Sequence, residues 1–300
     1  ADLRERIAAG LDAGQSFPDA YSAALRSGLE ARGDREAAAF PLEQPNNTLG
    51  LHYLIARKRL GSRMEPYTIR RLQAGYHDIE APAGSIASAT ALRRLIAGHG
   101  RPEAIASYVP PVTLDVLRRE WEAGRAPVGW PLFAEQLFHQ LLRLDTAELA
   151  GYRDVGEGLE FRIRRALPAL SRLDVDELIG LLKTKRYTRT RLQRALLAVL
   201  LGIRKEDWHP AALREGLAYI RVLGFTPKGR ELLRRMRKTA KLPVLMSAAG
   251  GGDAGLAGAG ARYLELDARA TGVYALAAGA RDPRALLRDF YEPPVIVRLS

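Results

Sequence analysis

Strand-like sequence is scarce in this chain of 300 residues. The best candidate is Pro66-Tyr67-Thr68-Ile69-Arg70-Arg71-Leu72, a β-rich run bounded by Gly and Pro. A second, shorter one is the alternation Tyr263-Leu264-Glu265-Leu266-Asp267. One strong strand cannot make a doubly wound sheet. If the first hundred residues belong to such a sheet, most of its strands must come from elsewhere. Nearly everything else recurs at helical spacing. Residues 2–39 read as helices with a break at Gln15-Ser16-Phe17-Pro18, where Ser16 is placed to cap and Pro18 to sit in a first turn. Pro45 to Gly50 opens a helix through Leu51, Leu54, Ile55 and Lys58. Ser85 to Thr90 leads into another through Leu92, Leu95 and Ile96, stopped by Gly98 and Gly100. From Pro102 onward the pattern is mostly helical, including Leu178 to Leu182, Leu192 to Ile203, Leu213 to Ile220 and Glu231 to Lys238. Residues 248–261, with six glycines in fourteen, read as a flexible loop or a tolerated insertion. The expected architecture is α/β plus all-α, with a mixed part over 1–100 and a larger, mainly helical part over 101–300.

Charge is concentrated in two places. Residues 178–205 hold eight Lys/Arg and no acid, and residues 228–241 hold seven with one acid, Glu231. These +8 and +6 exceed the whole-chain balance of +12, so the remainder is slightly acidic. Such concentration makes RNA or DNA the leading partner class. With 47% apolar and 27% charged residues, the chain has the composition of a folded globular protein. Zero cysteines exclude disulfides, thiolate catalysis and Cys-type zinc sites. No window has the apolar length of a membrane span. The start, Ala1-Asp2-Leu3-Arg4, is charged, lacks Met and is unlike a signal peptide. That start reads as a processed chain or one cut from something longer.

Four local features carry candidate chemistry. Ser85 to Arg94 crowds small and hydroxyl residues at a helix start, with Arg93 and Arg94 in its first turns. Free N–H groups there bind phosphate, although capping by Ser88 or Thr90 is the commoner use of such residues. Arg70 and Arg71 end the candidate strand, and alternation turns only one of them toward a ligand. Pro45-Asn46-Asn47 is either a turn and cap or a pair of amides that read a base or ribose. Lys183-Thr184-Lys185-Arg186-Tyr187-Thr188-Arg189-Thr190-Arg191 mixes cations, hydroxyls and an aromatic ring. Cations contact phosphates, hydroxyls bond ribose, and Tyr187 can stack on an unpaired base; the bland alternative is a solvated connecting face. The five histidines have no metal-ligand spacing. There is no Ser-His-Asp elbow, Walker loop or GxGxxG, and no catalytic side chain is identified.

Taken together, these motifs resemble a known family. Pro45-Asn46-Asn47-Thr48-Leu49-Gly50, Pro66-Tyr67-Thr68 with Arg71, Tyr76-His77-Asp78, and Ile86-Ala87-Ser88-Ala89-Thr90 with Arg93 occur in the order seen in the tRNA(Met) cytidine acetate ligases. Leu181 to Thr188, Arg191-Leu192-Gln193-Arg194, and Tyr219 to Thr226 with Lys228-Gly229 extend the match, so that it covers roughly residues 1 to 245. The family is a branch of the nucleotidyltransferase-like superfamily. The resemblance implies the C-terminal part of a Rossmann-type ATP-binding domain followed by a helical tRNA-binding domain. It implies a cytoplasmic enzyme that activates acetate with ATP as acetyl-adenylate, with magnesium expected. The acetyl group then passes to N4 of the wobble cytidine in elongator methionine tRNA. By similarity, Asn46, Arg71, Leu72, Ser88, Ala89, Thr90 and Arg93 would contact ATP. Lys183, Lys185, Arg186, Tyr187, Arg189, Arg191 and Arg194 would hold the tRNA.

Family members also begin with a first strand and a His-x-Gly-His-type phosphate loop, and this sequence has no such motif. The expectation is therefore a fragment, a chain that pairs with a separate N-terminal piece, or a degenerate relative, any of which turns over ATP poorly alone. Two other functions remain open: a non-catalytic tRNA-binding module, and a nucleotidyltransferase acting on a small metabolite.

Overall fold

A computed structural model describes residues 2–69, 86–184 and 186–298. The chain divides into two compact units: Ala1–Val109 with Lys183–Thr188, and Pro110–Leu182 with Arg189–Ser300.

The first unit carries α1 (Leu3–Asp12), α2 (Phe17–Glu30), α3 (Arg35–Ala38), α4 (Pro45–Arg59) and α5 (Ala89–His99), then a 3-10 segment over Pro102–Tyr108. Helix α2 begins where the sequence places it. Ser16 is the N-cap, its hydroxyl accepting from Asp19 N at 3.4 Å, and Pro18 sits in the first turn. Ala20, Ser22 and Ala24 form the buried face of α2, which packs on α1. Helix α4 leaves Leu49, Tyr53 and Leu54 exposed, so its apolar residues do not converge on one face.

The second unit holds α6 (Pro111–Glu122), α7 (Ala134–Arg143), α8 (Thr146–Ala150), α9 (Leu159–Ala166), α10 (Val175–Leu182), α11 (Arg189–Leu201) and α12 (Pro210–Arg214). Then come β1 (Ile220–Arg221), β2 (Gly224–Phe225), α13 (Pro227–Thr239), β3 (Val244–Leu245), α14 (Gly250–Asp253), α15 (Gly258–Ala277), α16 (Pro283–Leu286), α17 (Arg288–Tyr291) and β4 (Val295–Ile296). Its main core is built from the periodic leucines. Leu137, Phe138 and Leu141 of α7 are buried, as are Leu159 and Ile163 of α9, Leu178, Ile179 and Leu182 of α10, and Leu192 and Leu196 of α11. Burying each such side chain stabilises by about 1.5–3 kcal/mol. A second, small core gathers Leu245, Ala248, Leu264 and Ala268, with Tyr219 and Leu256 against it. The strands form two parallel pairs, β1 with β3 (Ile220 opposite Val244) and β2 with β4 (Gly224 opposite Val295).

Several expectations change. Tyr263 to Asp267 is not a strand but lies inside α15; five residues of alternation are overridden by twenty residues of helix. The glycine-rich stretch 248–261 is partly helical, containing α14 and the start of α15. Packing requires glycine at two of its positions, since a Cβ at Gly251 would meet Leu264 Cδ2 at 2.3 Å and one at Gly260 would meet Ala218 Cβ at 2.9 Å. Leu213 to Ile220 does not continue as helix: α12 ends at Arg214, Gly216 takes φ +78°, and Ile220 enters β1. Residues 66–69 have no strand pairing among the described residues, and Arg70, Arg71 and Leu72 lie outside them.

Candidate functional site

In the first unit, Ser88 is the N-cap of α5. Its hydroxyl accepts from Ala91 N at 3.1 Å, its carbonyl accepts from Leu92 N at 3.0 Å, and the side chain is only 3% exposed. The commoner use of such a serine is thus the one observed. The next two residues, Ala89 and Thr90, are exposed at the helix start, where backbone N–H groups lack intrahelical acceptors. Arg93 is exposed one turn further on. Together they make a small cationic helix terminus with donors facing solvent, suited to an anion.

Asn46 and Asn47 part company. Asn47 Nδ2 donates to Pro41 O at 2.9 Å, and the Thr48 hydroxyl donates to Leu42 O, so these two pin the preceding turn. Asn46 is exposed and takes no part in that pinning. Arg71, Leu72 and Tyr76-His77-Asp78 lie outside the described residues, so the grouping of the ATP candidates is described for Asn46, Ser88, Ala89, Thr90 and Arg93 alone.

The basic run around α11 is less free than its sequence implies. The Arg189 guanidinium pairs with Asp176, Arg191 lies 3.0 Å from Glu157, and Arg194 lies 3.2 Å from Asp154. The acids arrive from α10 and from the loop between α8 and α9. In that loop Asp154 (φ +61°) and Glu157 (φ +58°) both take the left-handed conformation, which Asp adopts more readily than most residues and Glu only at a cost. The loop is held by an antiparallel bridge between Tyr152 and Arg204, by Arg153 N donating to Ile203 O at 2.9 Å, and by the Arg204 guanidinium 4.5 Å over the Tyr152 ring. Lys205 Nζ donates to Ala150 O at 2.6 Å. Tyr187, offered by the sequence to an unpaired base, is 4% exposed, so its ring is not presented at the surface. Lys183 and Arg186 are exposed, and Lys185 lies outside the described residues.

The second basic cluster has no such acids. Helix α13 buries none of its residues. Among the described residues, Lys228, Arg234, Arg235, Arg237, Lys238 and Lys241 form no ion pair, and Arg230 stands 5.9 Å over the Phe225 ring.

The motif Tyr219 to Thr226 is the mount for that helix. The Tyr219 hydroxyl donates to Asp267 Oδ2 at 2.7 Å, Arg221 Nη2 lies 3.0 Å from Asp289 Oδ1, and the Thr271 hydroxyl donates to Asp289 Oδ2 at 2.8 Å. Burial, then the bond to Asp267, pushes the Tyr219 phenol above its ordinary range. The motif ends on Thr226, whose hydroxyl caps α13 by accepting from Gly229 N at 3.0 Å. The sequence flagged this motif without a role.

A groove of about 920 Å³ in the second unit had no sequence signal. Val112, Val116, Leu117, Tyr274 and Ala275 line it, with the Arg125–Glu120 pair beside them. Its residues are scattered over α6, α15 and α16, which is why no local motif points to it.

The helices of the first unit, the two short parallel strand pairs and the predominantly helical second unit are of the α/β plus all-α class, and the comparisons that follow give the fold as nucleotidyltransferase-like. The family model described as HIGH nucleotidyl transferase matches residues 1–288, and the chain belongs to that family. Within it, the chain is similar to tRNA(Met) cytidine acetate ligases. It is 34% identical over 255 residues to that of Listeria monocytogenes serotype 4b strain CLIP80459, covering 85% of this chain and 59% of the relative. It is 34% identical over 294 residues to that of Syntrophotalea carbinolica, covering 92% and 66%. Among solved structures, apo Thermotoga maritima TmcAL matches with TM-score 0.88 and 28% identity, over 99% of this chain and 71% of that one. The same protein bound with alpha-thio ATP matches with TM-score 0.85 over 99% and 70%. The chain thus spans about three-fifths of the length of the Listeria relative.

Proposed function

We propose that this chain works as an ATP-dependent tRNA(Met) cytidine acetate ligase, with the nucleotide in the first unit and the tRNA on the basic helices of the second. The observation that carries this is the match over 99% of the chain to a protein crystallised with alpha-thio ATP, in a molecule whose α5 begins with exposed donors and Arg93. An acetate oxygen attacks the α-phosphorus of ATP and pyrophosphate leaves. The N4 amine of the wobble cytidine then attacks the acetyl carbonyl, AMP leaves, and the amine proton passes to solvent. The protein binds and orients: the N–H groups at Ala89 and Thr90 and the Arg93 guanidinium stabilise charge that builds on the phosphates, and Asn46 is free to bond base or ribose. Arg71 and Leu72 belong to the same proposal by family resemblance. Magnesium would accompany the nucleotide and would shield the charge that builds on its phosphates.

On the tRNA side, phosphates displace Asp176, Glu157 and Asp154 from Arg189, Arg191 and Arg194, and Lys183, Lys185 and Arg186 add contacts. Tyr187 would have to leave its buried position to stack. In the same proposal the ATP-binding part lies within about 1–100 and the tRNA-binding part within about 101–300. No helix among the described residues is long and apolar enough to cross a membrane.

The test is a single-turnover reaction with protein in excess over an elongator methionine tRNA transcript, supplied with ATP, acetate and magnesium. N4-acetylcytidine at the wobble position, lost without acetate, is the expected product, formed slowly because the sequence has no His-x-Gly-His-type phosphate loop. ATP and tRNA binding without any acetylated nucleoside would leave a tRNA-binding module in place of a ligase.

A further inference from the structure

We infer that α13, rather than the basic run around α11, supplies most of the electrostatic affinity for RNA; this rests on the tRNA reading above. The two clusters look alike in sequence and differ in structure. Around α11, three arginines meet carboxylates, and Arg204 and Lys205 donate to the carbonyls of Glu148 and Ala150. A phosphate arriving there must displace a partner already in place. On α13 no carboxylate among the described residues pairs with a cation, so each phosphate contact releases condensed counterions without first breaking an ion pair.

The geometry of α13 favours a polyanion. At 100° per residue, Leu232, Leu233 and Met236 fall on one side. Lys228, Arg230, Arg234, Arg235, Arg237 and Lys238 spread over the opposite half-turn, broken only by Pro227 in the first turn and by Glu231. Four pairs at spacings of three or four are cation on cation: Arg230–Arg234, Arg234–Arg237, Arg234–Lys238 and Arg235–Lys238. Each is repulsive in the free protein and relieved by a polyanion. The successive rungs Arg230, Arg234 and Arg237 climb the helix in steps of about 6 and 4.5 Å, which lets one helix meet several phosphates.

The helix is also held in place. Thr226 caps its start, and the strand pairs with the Arg221–Asp289 contact fix the segment before it. A basic amphipathic helix of a membrane-surface protein buries its apolar stripe in lipid. Here Leu233 and Met236 are already half-buried, leaving Leu232, at 59% exposure, as the main apolar contact available. An RNA phosphate backbone, which needs only the cations, fits this arrangement better than a bilayer does.

The experiment compares two triple variants of the full chain, Arg234→Gln/Arg235→Gln/Arg237→Gln on α13 and Arg189→Gln/Arg191→Gln/Arg194→Gln on α11. Affinity for an elongator methionine tRNA transcript is read by fluorescence anisotropy from about 0.05 to 0.3 M salt, the range over which counterion release dominates. The α13 set is expected to flatten the slope of log K against log salt by about two to three, and to weaken binding on the order of ten- to a hundredfold at physiological salt. The α11 set is expected to flatten it by less than about one. Replacing the same three α13 residues by Lys keeps the charge and should restore the slope, which a merely structural role would not. An equal or larger loss in the α11 set overturns the inference and leaves the tRNA reading intact. Wild-type protein that binds vesicles of anionic phospholipid and not tRNA overturns both.

Discussion

Arg221 Nη2 lies 3.0 Å from Asp289 Oδ1, with the two side chains 16% and 13% exposed. The pair joins β1 to α17, and the second oxygen of the same carboxylate accepts from the Thr271 hydroxyl at 2.8 Å on α15. Three elements distant in sequence thereby meet on one carboxylate, and β1 lies a few residues before α13 in the chain. Removing one partner leaves the other charge poorly solvated, which costs far more than the pair contributes. Asp289→Ala should lower stability by about 2–3 kcal/mol, below the range for fully buried pairs because some water reaches this one. Urea unfolding measures it, and a cycle with Arg221→Ala should give a coupling of at least about 1 kcal/mol.

Tyr219 gives the same region an alkaline limit. Its phenol is raised above the ordinary value of 10.0 by burial and by Asp267. A raised group contributes fully below the unfolded value and loses that contribution as pH climbs toward the folded one. Wild-type stability should therefore decline above about pH 10, where the unfolded chain ionises first. Tyr219→Phe should be less stable at neutral pH and show a smaller decline. Parallel curves for the two proteins in urea titrations between pH 8 and 11 would contradict this.

Ser88 and Arg93 separate a structural role from a binding one. Ser88→Ala removes a cap and should cost about 1 kcal/mol in thermal or urea unfolding. Arg93→Gln removes an exposed cation and should leave stability within about 0.5 kcal/mol, while weakening ATP binding severalfold by calorimetry. ATP affinity unchanged in Arg93→Gln would remove α5 from the nucleotide site.

Gly272 sets two effects against each other. Replacing a helical glycine by alanine ordinarily stabilises by about 1 kcal/mol. In α15, however, a Cβ at this position would meet Leu286 O at 2.9 Å, a backbone atom that cannot swing away. Overpacking of this kind costs about 1–3 kcal/mol, so Gly272→Ala should be neutral to destabilising. A gain of stability by urea unfolding would show that α15 and α16 have room to part.

How much of this was legible in sequence follows from the range of each signal. The Ser16 cap, the Ser88 cap and the periodic leucines of α7, α10 and α11 are local, and the sequence shows them. Tyr263 to Asp267 misled because a short alternation cannot report the helix around it. The charge clusters were visible as composition, but their state was not. The partners of Arg191 and Arg194 lie 34 and 40 residues away, so only the folded chain distinguishes a neutralised cluster from a free one. The burial of Tyr187 and the three-element network around Asp289 were hidden for the same reason.

The most direct test of a tRNA held by the cationic helices is photo-crosslinking of an elongator methionine tRNA containing 4-thiouridine to the full chain, with adducts mapped by peptide mass spectrometry. Adducts within residues 183–194 and 228–241, competed away by unlabelled tRNA, are the predicted result. Adducts confined to α1 to α4, or none that unlabelled tRNA displaces, would contradict it.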